Sequence, residues 1–346
     1  MKRTSSILLL ALLLAPLRPC AFSGETNTIP AAPTAPKGLQ TLEERRAGIL
    51  AGKQKEWTES VAERTRYLAK LPSGTTTVLD LPYVEAPAEG MLPGSGQTLD
   101  LYVPSGAGPF PLVIVVHGGA WKGGDKSGWG ATVAASFVPE GFAVASINYR
   151  CVFDAPFPGM FQDAIDSVAF LRAHAEQYHL DASRIGIFGN SAGSDIGGVV
   201  AMAEGGEGAP YVRVGPGVQA AVLWCGFYDM TRETGQYVPG KFIGSFVDNP
   251  RDDFAYLYPN RTYDPQIAKQ MSPLYLIHPG IPPVLLVRGD QDTIAPLVQS
   301  EIFEGALKEA GAEVAFTHYP TYTHGLWHSD SVAETLAFFK KHLQGR

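Results

Sequence analysis

The sequence predicts an α/β fold: a mostly parallel central sheet of about eight strands flanked by helices, with an N-terminal helical extension and a small insertion between strands six and seven. Three observations predict it. From about residue 75, short apolar runs alternate with stretches of helical spacing, the pattern of strands joined by crossover helices. Two of these runs, 112–116 and 185–188, are almost wholly apolar, as strands covered on both faces should be. The chain has 346 residues, 45% of them hydrophobic and 18% charged, which allows a full core and excludes fibre, coiled coil and wholesale disorder.

The N-terminus reads as an export signal. Lys2 and Arg3 precede an apolar core over 7–17, too short and wrongly flanked for a membrane span. Ala21-Phe22-Ser23 places small residues where a signal peptidase needs them. Residues 1–23 are therefore expected to be a signal peptide, cleaved after Ser23, and the protein to be secreted or periplasmic. Cys20 raises the alternative of a lipid anchor, but Arg18-Pro19 fits a lipobox badly, so no stable membrane anchoring is expected. Residues 24–38, rich in Pro, Ala and Thr, read as a flexible linker.

Residues 39–74 form the expected helical extension. Leu42, Ile49, Leu50, Trp57, Val61 and Leu68 fall roughly on one stripe, with charged residues between them, until Pro72 ends the pattern. Two placements stay open: over the entrance of a cleft, or packed on the body. Residues 75–346 are expected to be the catalytic domain. Its strands are expected over 76–84, 98–103, 112–116, 143–147, 185–188, 220–224, 284–287 and 314–318. Helices are expected around 161–175, from Ser191 onward, and over 296–310 and 331–343. The insertion, about 231–279, is rich in aromatics: Tyr237, Phe242, Phe246, Phe254, Tyr256, Tyr258 and Tyr263. It is either a wall of a substrate pocket or a satellite core under a long loop.

The formal net charge is −7, and loss of Lys2, Arg3 and Arg18 with the signal makes it more negative. That balance excludes nucleic acid and argues against anionic membrane as a partner. Of three cysteines, Cys151 and Cys225 would remain after cleavage; they read as two separate buried thiols rather than a disulfide framework.

The chemistry centres on Gly189-Asn190-Ser191-Ala192-Gly193, which follows a strand and opens a helix. A sharp strand-to-helix turn exposes the Ser191 hydroxyl, and small flanking residues let the chain make it. A hydroxyl becomes a nucleophile when a base takes its proton. Four histidines lie late enough in the chain: His318, His324, His328 and His342. His324 sits in a loop between the last strand and last helix, where such folds place their sites, and is the preferred base, with His328 second. The acid should follow the preceding strand. Asp292 is preferred, and Asp290 is expected to brace the turn through the backbone. His117-Gly118-Gly119-Ala120-Trp121 follows the third strand, so the N–H groups of Gly119 and Ala120, with that of Ala192 at the helix start, are expected to form an oxyanion hole. Trp121 is expected to touch substrate. No cluster has metal-ligand spacing, and neither metal nor cofactor is expected.

Together these residues resemble the esterase/lipase branch of the α/β-hydrolases, in particular the bacterial feruloyl- and acetyl-esterase-like group. The resemblance rests also on Leu99 to Pro104, Lys122-Gly123-Gly124-Asp125, Asn148-Tyr149-Arg150, Ala155-Pro156-Phe157-Pro158 and Gly289 to Pro296. It runs from about residue 75 to the C-terminus. It implies Ser191 as nucleophile, Asp292 as acid, His324 as base and Gly119, Ala120 and Ala192 as oxyanion donors. Departures from the usual pattern are Ala120 for a third glycine, Ser194-Asp195 after the elbow, Arg288 before the acid loop, and Cys151-Val152-Phe153. Asp195 is expected to be buried and hydrogen-bonded rather than a substrate contact.

The expected activity is carboxylic ester hydrolysis through an acyl-enzyme, on short-chain acyl or aromatic esters, with acetyl or feruloyl groups on polysaccharide as the substrate class by analogy. The partner is thus a small-molecule or polysaccharide-linked ester. The His-Gly-Gly-x-Trp pattern is also similar to kynurenine formamidase, which makes an amidohydrolase the alternative. A non-catalytic binding module ranks below both, because every catalytic part is present.

Overall fold

The computed structural model describes residues 41–203, 211, 215–231 and 253–345. The expected signal peptide and linker, with Tyr237, Phe242 and Phe246 and the side chain of Phe254, lie outside the described residues. In chain order the elements are α1 (Leu42–Leu68), β1 (Thr76–Pro82), β2 (Thr98–Val103), β3 (Phe110–Val116), α2 (Lys126–Phe137), β4 (Ala143–Ile147), α3 (Gly159–Ala173), β5 (Leu180–Asn190), α4 (Ala192–Met202), β6 (Ala220–Trp224), α5 (Pro265–Met271), β7 (Val284–Gly289), α6 (Leu297–Glu309), β8 (Val314–Tyr319) and α7 (Ser329–Phe339). Among the described residues no helix is long and apolar enough to cross a membrane.

The period-2 alternation of strand side chains builds both faces of the sheet. Leu112, Ile114 and Val116 of β3 join a cluster with Phe161 of α3, Ile196 of α4 and Phe303 of α6. Val113 and Val115 join a second cluster with Phe137 of α2 and Phe339 of α7. Both faces are therefore covered by helices, which is why these strands read as continuous apolar runs.

The sheet has eight strands in the order β1-β2-β4-β3-β5-β6-β7-β8. β1 and β2 pair antiparallel, as do β2 and β4; the remaining pairs are parallel. From β3 the chain goes outward to β4, then returns across β3 to β5. That reversal opens a crevice at the carboxyl ends of β3 and β5, the place where open α/β sheets bind ligands. Register sets what meets there: Val116 pairs with Gly189, Asn190 with Trp224, and Gly289 with Tyr319.

α2 carries Gly128 and Gly130 and no apolar stripe, so spacing does not announce it. It starts because the Asp125 carboxylate accepts the Ser127 N–H at 2.8 Å and caps the first turn.

α1 begins at a capping box in which Thr41 and Glu44 exchange side-chain hydrogen bonds. Its apolar stripe anchors it only in part: Leu42, Ile49, Tyr67 and Leu68 pack half-buried against the two cores. None of its residues is buried, and Leu50 and Trp57 are 49% and 40% exposed. Polar ties add to this packing. Arg46 pairs with Asp154 and donates to the Phe153 carbonyl at 2.7 Å. Ser60 donates to Asp125 at 2.9 Å, and Arg64 pairs with Asp100 at 2.8 Å. The Asp100 carboxylate is fully buried and also faces Lys126 at 2.7 Å. Arg64→Ala is expected to lower the unfolding free energy by about 3 kcal/mol, the low end for breaking a buried pair, because Lys126 still faces the carboxylate. Urea denaturation checks this, and an unchanged midpoint would mean that other contacts dock the helix.

The aromatic insertion gives a divided answer. Of its described aromatics, Tyr256 and Tyr258 are buried in the core, Tyr256 against Phe153, and Tyr263 packs on Tyr258. Tyr256 and Tyr258 are part of the main core, and Tyr263 packs against it. Cys151 and Cys225 are both buried and free, and burial pushes the Cys151 thiol up to about 12.

Candidate active site

Ser191 stands between β5 and α4 with φ 56° and ψ −122°, a conformation that L residues avoid. The glycines on either side make it possible. A Cβ on Gly189 would lie 2.2 Å from the Gly193 carbonyl oxygen, and one on Gly193 would lie 2.1 Å from that of Val116. Only glycine permits these approaches, which press the turn against the end of β3. Ser191 is 8% exposed and lines a cleft of about 630 Å³ with His117, Gly119, Ala120 and His324.

Three loops meet at that serine. His324, after β8, brings Nε2 to 2.8 Å from Ser191 Oγ, and its Nδ1 lies 2.8 Å from Asp292 Oδ2. Asp292, after β7, has a fully buried carboxylate whose other oxygen accepts the N–H groups of Ile294 at 2.7 Å and Ala295 at 3.0 Å. Burial alone would raise its pKa, but the His324 hydrogen bond and charge and the two backbone donors outweigh this and hold it below the usual value. Asp292 thus braces its own turn. Asp290, expected to do so through the backbone, bonds the His318 ring instead, at 2.9 Å and 3.0 Å. His328 stacks on Tyr322 and precedes α7.

The loop after β3 places three successive residues in the left-handed region: Gly119 at φ 124°, Ala120 at 54° and Trp121 at 58°. Two of them pay a steric cost, so surrounding structure must impose the shape. The Tyr149 hydroxyl donates to the His117 carbonyl at 2.9 Å, and Asn148 donates to Asp125 at 3.1 Å. Gly119 is exposed in the cleft, and Ala192 heads α4, where the first N–H groups have no intrahelical acceptor.

Trp121 corrects an expectation. It is 2% exposed and its indole N–H donates to Asp195 at 2.9 Å, so it offers no free face to a substrate. Its ring packs against Phe227, and the hydrogen bond to Asp195 anchors the loop to α4. Asp195, fully buried, is raised well above the usual carboxylate value by burial, which the Trp121 hydrogen bond only partly offsets. Its folded form therefore keeps a proton that the unfolded chain releases above about 3.8, and this group costs stability as pH rises from there. Asp195→Asn keeps an acceptor for Trp121 and removes the titration. Its Tm relative to the native protein is expected to rise between pH 5 and pH 8, and parallel Tm profiles would show that Asp195 is ionised when folded.

Two sets of residues received no role in the site from sequence reasoning. One is the brace of the glycine loop by Asp125, Asn148 and Tyr149, which stood in the sequence only as stretches that carry the family resemblance. The other is the wall made by α1, whose Glu56, Trp57 and Ser60 line the cleft. Arg288 is also buried, and its guanidinium donates to the carbonyls of Gly289 and Ala295, clamping the acid loop.

Among the described residues one group has potential metal-ligand atoms close together: Cys225, Asp292 and His324, within 4.8 Å of one another. Both imidazole nitrogens are already hydrogen-bonded, and burial pushes the Cys225 thiol far up, ahead of the effect of nearby Asp292. A neutral thiol is a poor ligand.

A family model named BD-FAE matches residues 99–307, more than half of the chain, and spans Ser191 and Asp292 but not His324. The chain belongs to the BD-FAE family. This BD-FAE member is 26% identical over 326 residues to Esterase LipQ of Mycobacterium tuberculosis, a match covering 90% of this chain and 70% of that protein. It is 28% identical over 234 residues to a probable isoprenylcysteine alpha-carbonyl methylesterase of Oryza sativa subsp. japonica, covering 65% of this chain and 54% of the relative. It thus spans about half the length of that relative. Among solved structures it resembles the truncated form of a carbohydrate esterase from gut microbiota, with TM-score 0.65, 26% identity, and coverage of 78% of this chain and 96% of that one. Esterase B from Lactobacillus rhamnosis superposes with TM-score 0.66 at 20% identity, covering 87% and 97%, a likeness of fold. The family and these neighbours place the chain among the esterases of the α/β-hydrolase fold.

Proposed function

We propose that this protein is a serine carboxylesterase in which Ser191, His324 and Asp292 cleave an ester through an acyl-enzyme. Hydrolysis of carboxylic esters as the reaction class rests on the family and on relatives named as esterases and carboxylic ester hydrolases. The observation that carries the mechanism is the continuous hydrogen-bonded chain from Ser191 Oγ through the His324 ring to the buried Asp292.

In this reading Ser191 Oγ attacks the ester carbonyl carbon while His324 Nε2 takes its proton. The N–H groups of Gly119, Ala120 and Ala192 receive the developing oxyanion. His324 then gives the proton to the departing alcohol, leaving an acyl group on Ser191. A water, losing its proton to His324, attacks that acyl group, and Ser191 recovers its proton as the acid leaves. Asp292 holds the ring with Nδ1–H toward itself and stabilises the imidazolium.

Short-chain or aromatic acyl esters, including acetyl or feruloyl groups on polysaccharide, are the proposed substrates. The likeness to a carbohydrate esterase supports them. Residues 1–23 as a signal peptide, 24–38 as a linker and 75–346 as the catalytic domain complete the proposal and make the mature protein secreted or periplasmic. The test is labelling with a fluorophosphonate, located by peptide mass spectrometry, beside turnover of para-nitrophenyl acetate, butyrate and octanoate. Label on Ser191 with preference for the short esters is expected. A folded protein that neither labels nor turns over any of the three overturns the proposal.

A further inference from the structure

The cleft beside Ser191 has a wall that does not come from the sheet. α1 supplies it, and Trp57 is its large apolar side chain. Leu42, Ile49, Tyr67 and Leu68 of this helix pack half-buried on the body, whereas Trp57 is 40% exposed, so the indole is not what seats the helix. Polar ties complete the seat, and one of them bears directly on Trp57. Ser60, three residues on and so on the neighbouring turn of the same face, donates to Asp125 and accepts the Gly128 N–H at 2.9 Å. Asp125 closes the glycine loop that also lines the cleft, so Trp57 is held in fixed relation to the loop beside Ser191.

A second apolar group faces the same space. Ile294, whose N–H donates to Asp292, lines the cleft and is 38% exposed. A helix wall and the acid loop thus each leave a large apolar side chain open to solvent at the mouth of a cleft that Pro93, Ala120 and Trp129 also line. The carboxylate of Glu56, the nearest charge on that wall, pairs with Lys53 at 2.8 Å. An indole face left open beside a reacting centre favours a flat apolar ring, which sheds water on stacking and adds the quadrupole attraction of offset rings.

We propose that Trp57 is a specificity-determining residue: its indole is the platform for a planar apolar ring carried by the ester, on either its acyl or its alcohol side. This rests on the reading of Ser191 as the reacting residue, and the test separates the two. The kcat/KM values of native protein, Trp57→Ala and Trp57→Phe are compared on ethyl acetate, phenyl acetate and ethyl 3-phenylpropanoate. For at least one ring-bearing ester the ratio of its kcat/KM to that of ethyl acetate is expected to fall about tenfold in Trp57→Ala, through KM, and to recover largely in Trp57→Phe. A fall for phenyl acetate puts the ring on the alcohol side; a fall for ethyl 3-phenylpropanoate puts it on the acyl side. Equal loss on all three esters, or no loss, overturns the proposal. Binding of the two ring esters to Ser191→Ala, read by saturation-transfer NMR at the ring protons, gives the second measurement. Ring signals that vanish in the Trp57→Ala, Ser191→Ala double variant support the platform even if native protein turns over no ester. Ring signals that persist overturn the platform and leave the esterase reading intact.

Discussion

Ser191→Ala is expected to lower kcat for para-nitrophenyl acetate by roughly a million-fold while the protein stays folded. The variant removes the atom that becomes acylated, and removal of the nucleophile alone costs about as much as removal of all three members of such a unit. What remains over water comes from the oxyanion donors and from binding, neither of which the change touches. Ser191 holds its unusual φ because Gly189 and Gly193 allow the turn, not because of its hydroxyl, so an alanine there can follow the same path. The measurement is steady-state turnover beside thermal unfolding. A loss under tenfold in a folded variant would mean that another residue carries the nucleophile and would remove the acyl-enzyme from the account.

Asp292→Asn is expected to lower kcat by about 10⁴-fold, because an amide at this position favours the wrong tautomer of His324. Asp290→Asn serves as the comparison. Its carboxylate bonds the exposed His318 ring on the far side of the same loop and is expected to leave turnover within about twofold. A reversed ranking would transfer the role of the acid to Asp290. The pH dependence has a defined sign. Burial opposes ionisation of Asp292, but the His324 bond and charge and the donors from Ile294 and Ala295 hold its pKa below the ordinary value. Its contribution to stability is therefore present above the unfolded value near 3.8 and is lost as pH falls through the lower folded value. Asp292→Asn should flatten that acid loss in a Tm profile between about pH 2 and pH 5.

The two predictions differ in what they draw on. The serine depends on a local turn, whereas the acid depends on a contact between loops 32 residues apart in the chain. That distinction runs through the whole molecule.

The sequence by itself determined what depends on neighbours along the chain. The central strands are legible because a strand covered on both faces must be apolar nearly throughout, and the strand–turn–helix at Gly189 to Gly193 is legible because only small residues permit it. Positions just past strand ends singled out Ser191, Asp292 and His324, since register carries the ends of parallel strands to one edge of the sheet. The tertiary structure decided what depends on residues far apart. α1 has an apolar stripe in sequence, of which only part packs on the cores, and it also docks through Arg46, Ser60 and Arg64 on buried carboxylates from Asp154, Asp125 and Asp100. Nothing in the pattern of a helix reveals which distant acid its cations will meet. Trp121 reads as a substrate contact because it follows the glycine loop, but a left-handed backbone turns it inward to Asp195. Trp57 lies on the stripe of α1, for which two placements stayed open in sequence, and it stands open in the cleft. Periodicity reports that a side chain is apolar; whether it is covered depends on what packs above it, and only the three-dimensional assembly sets that.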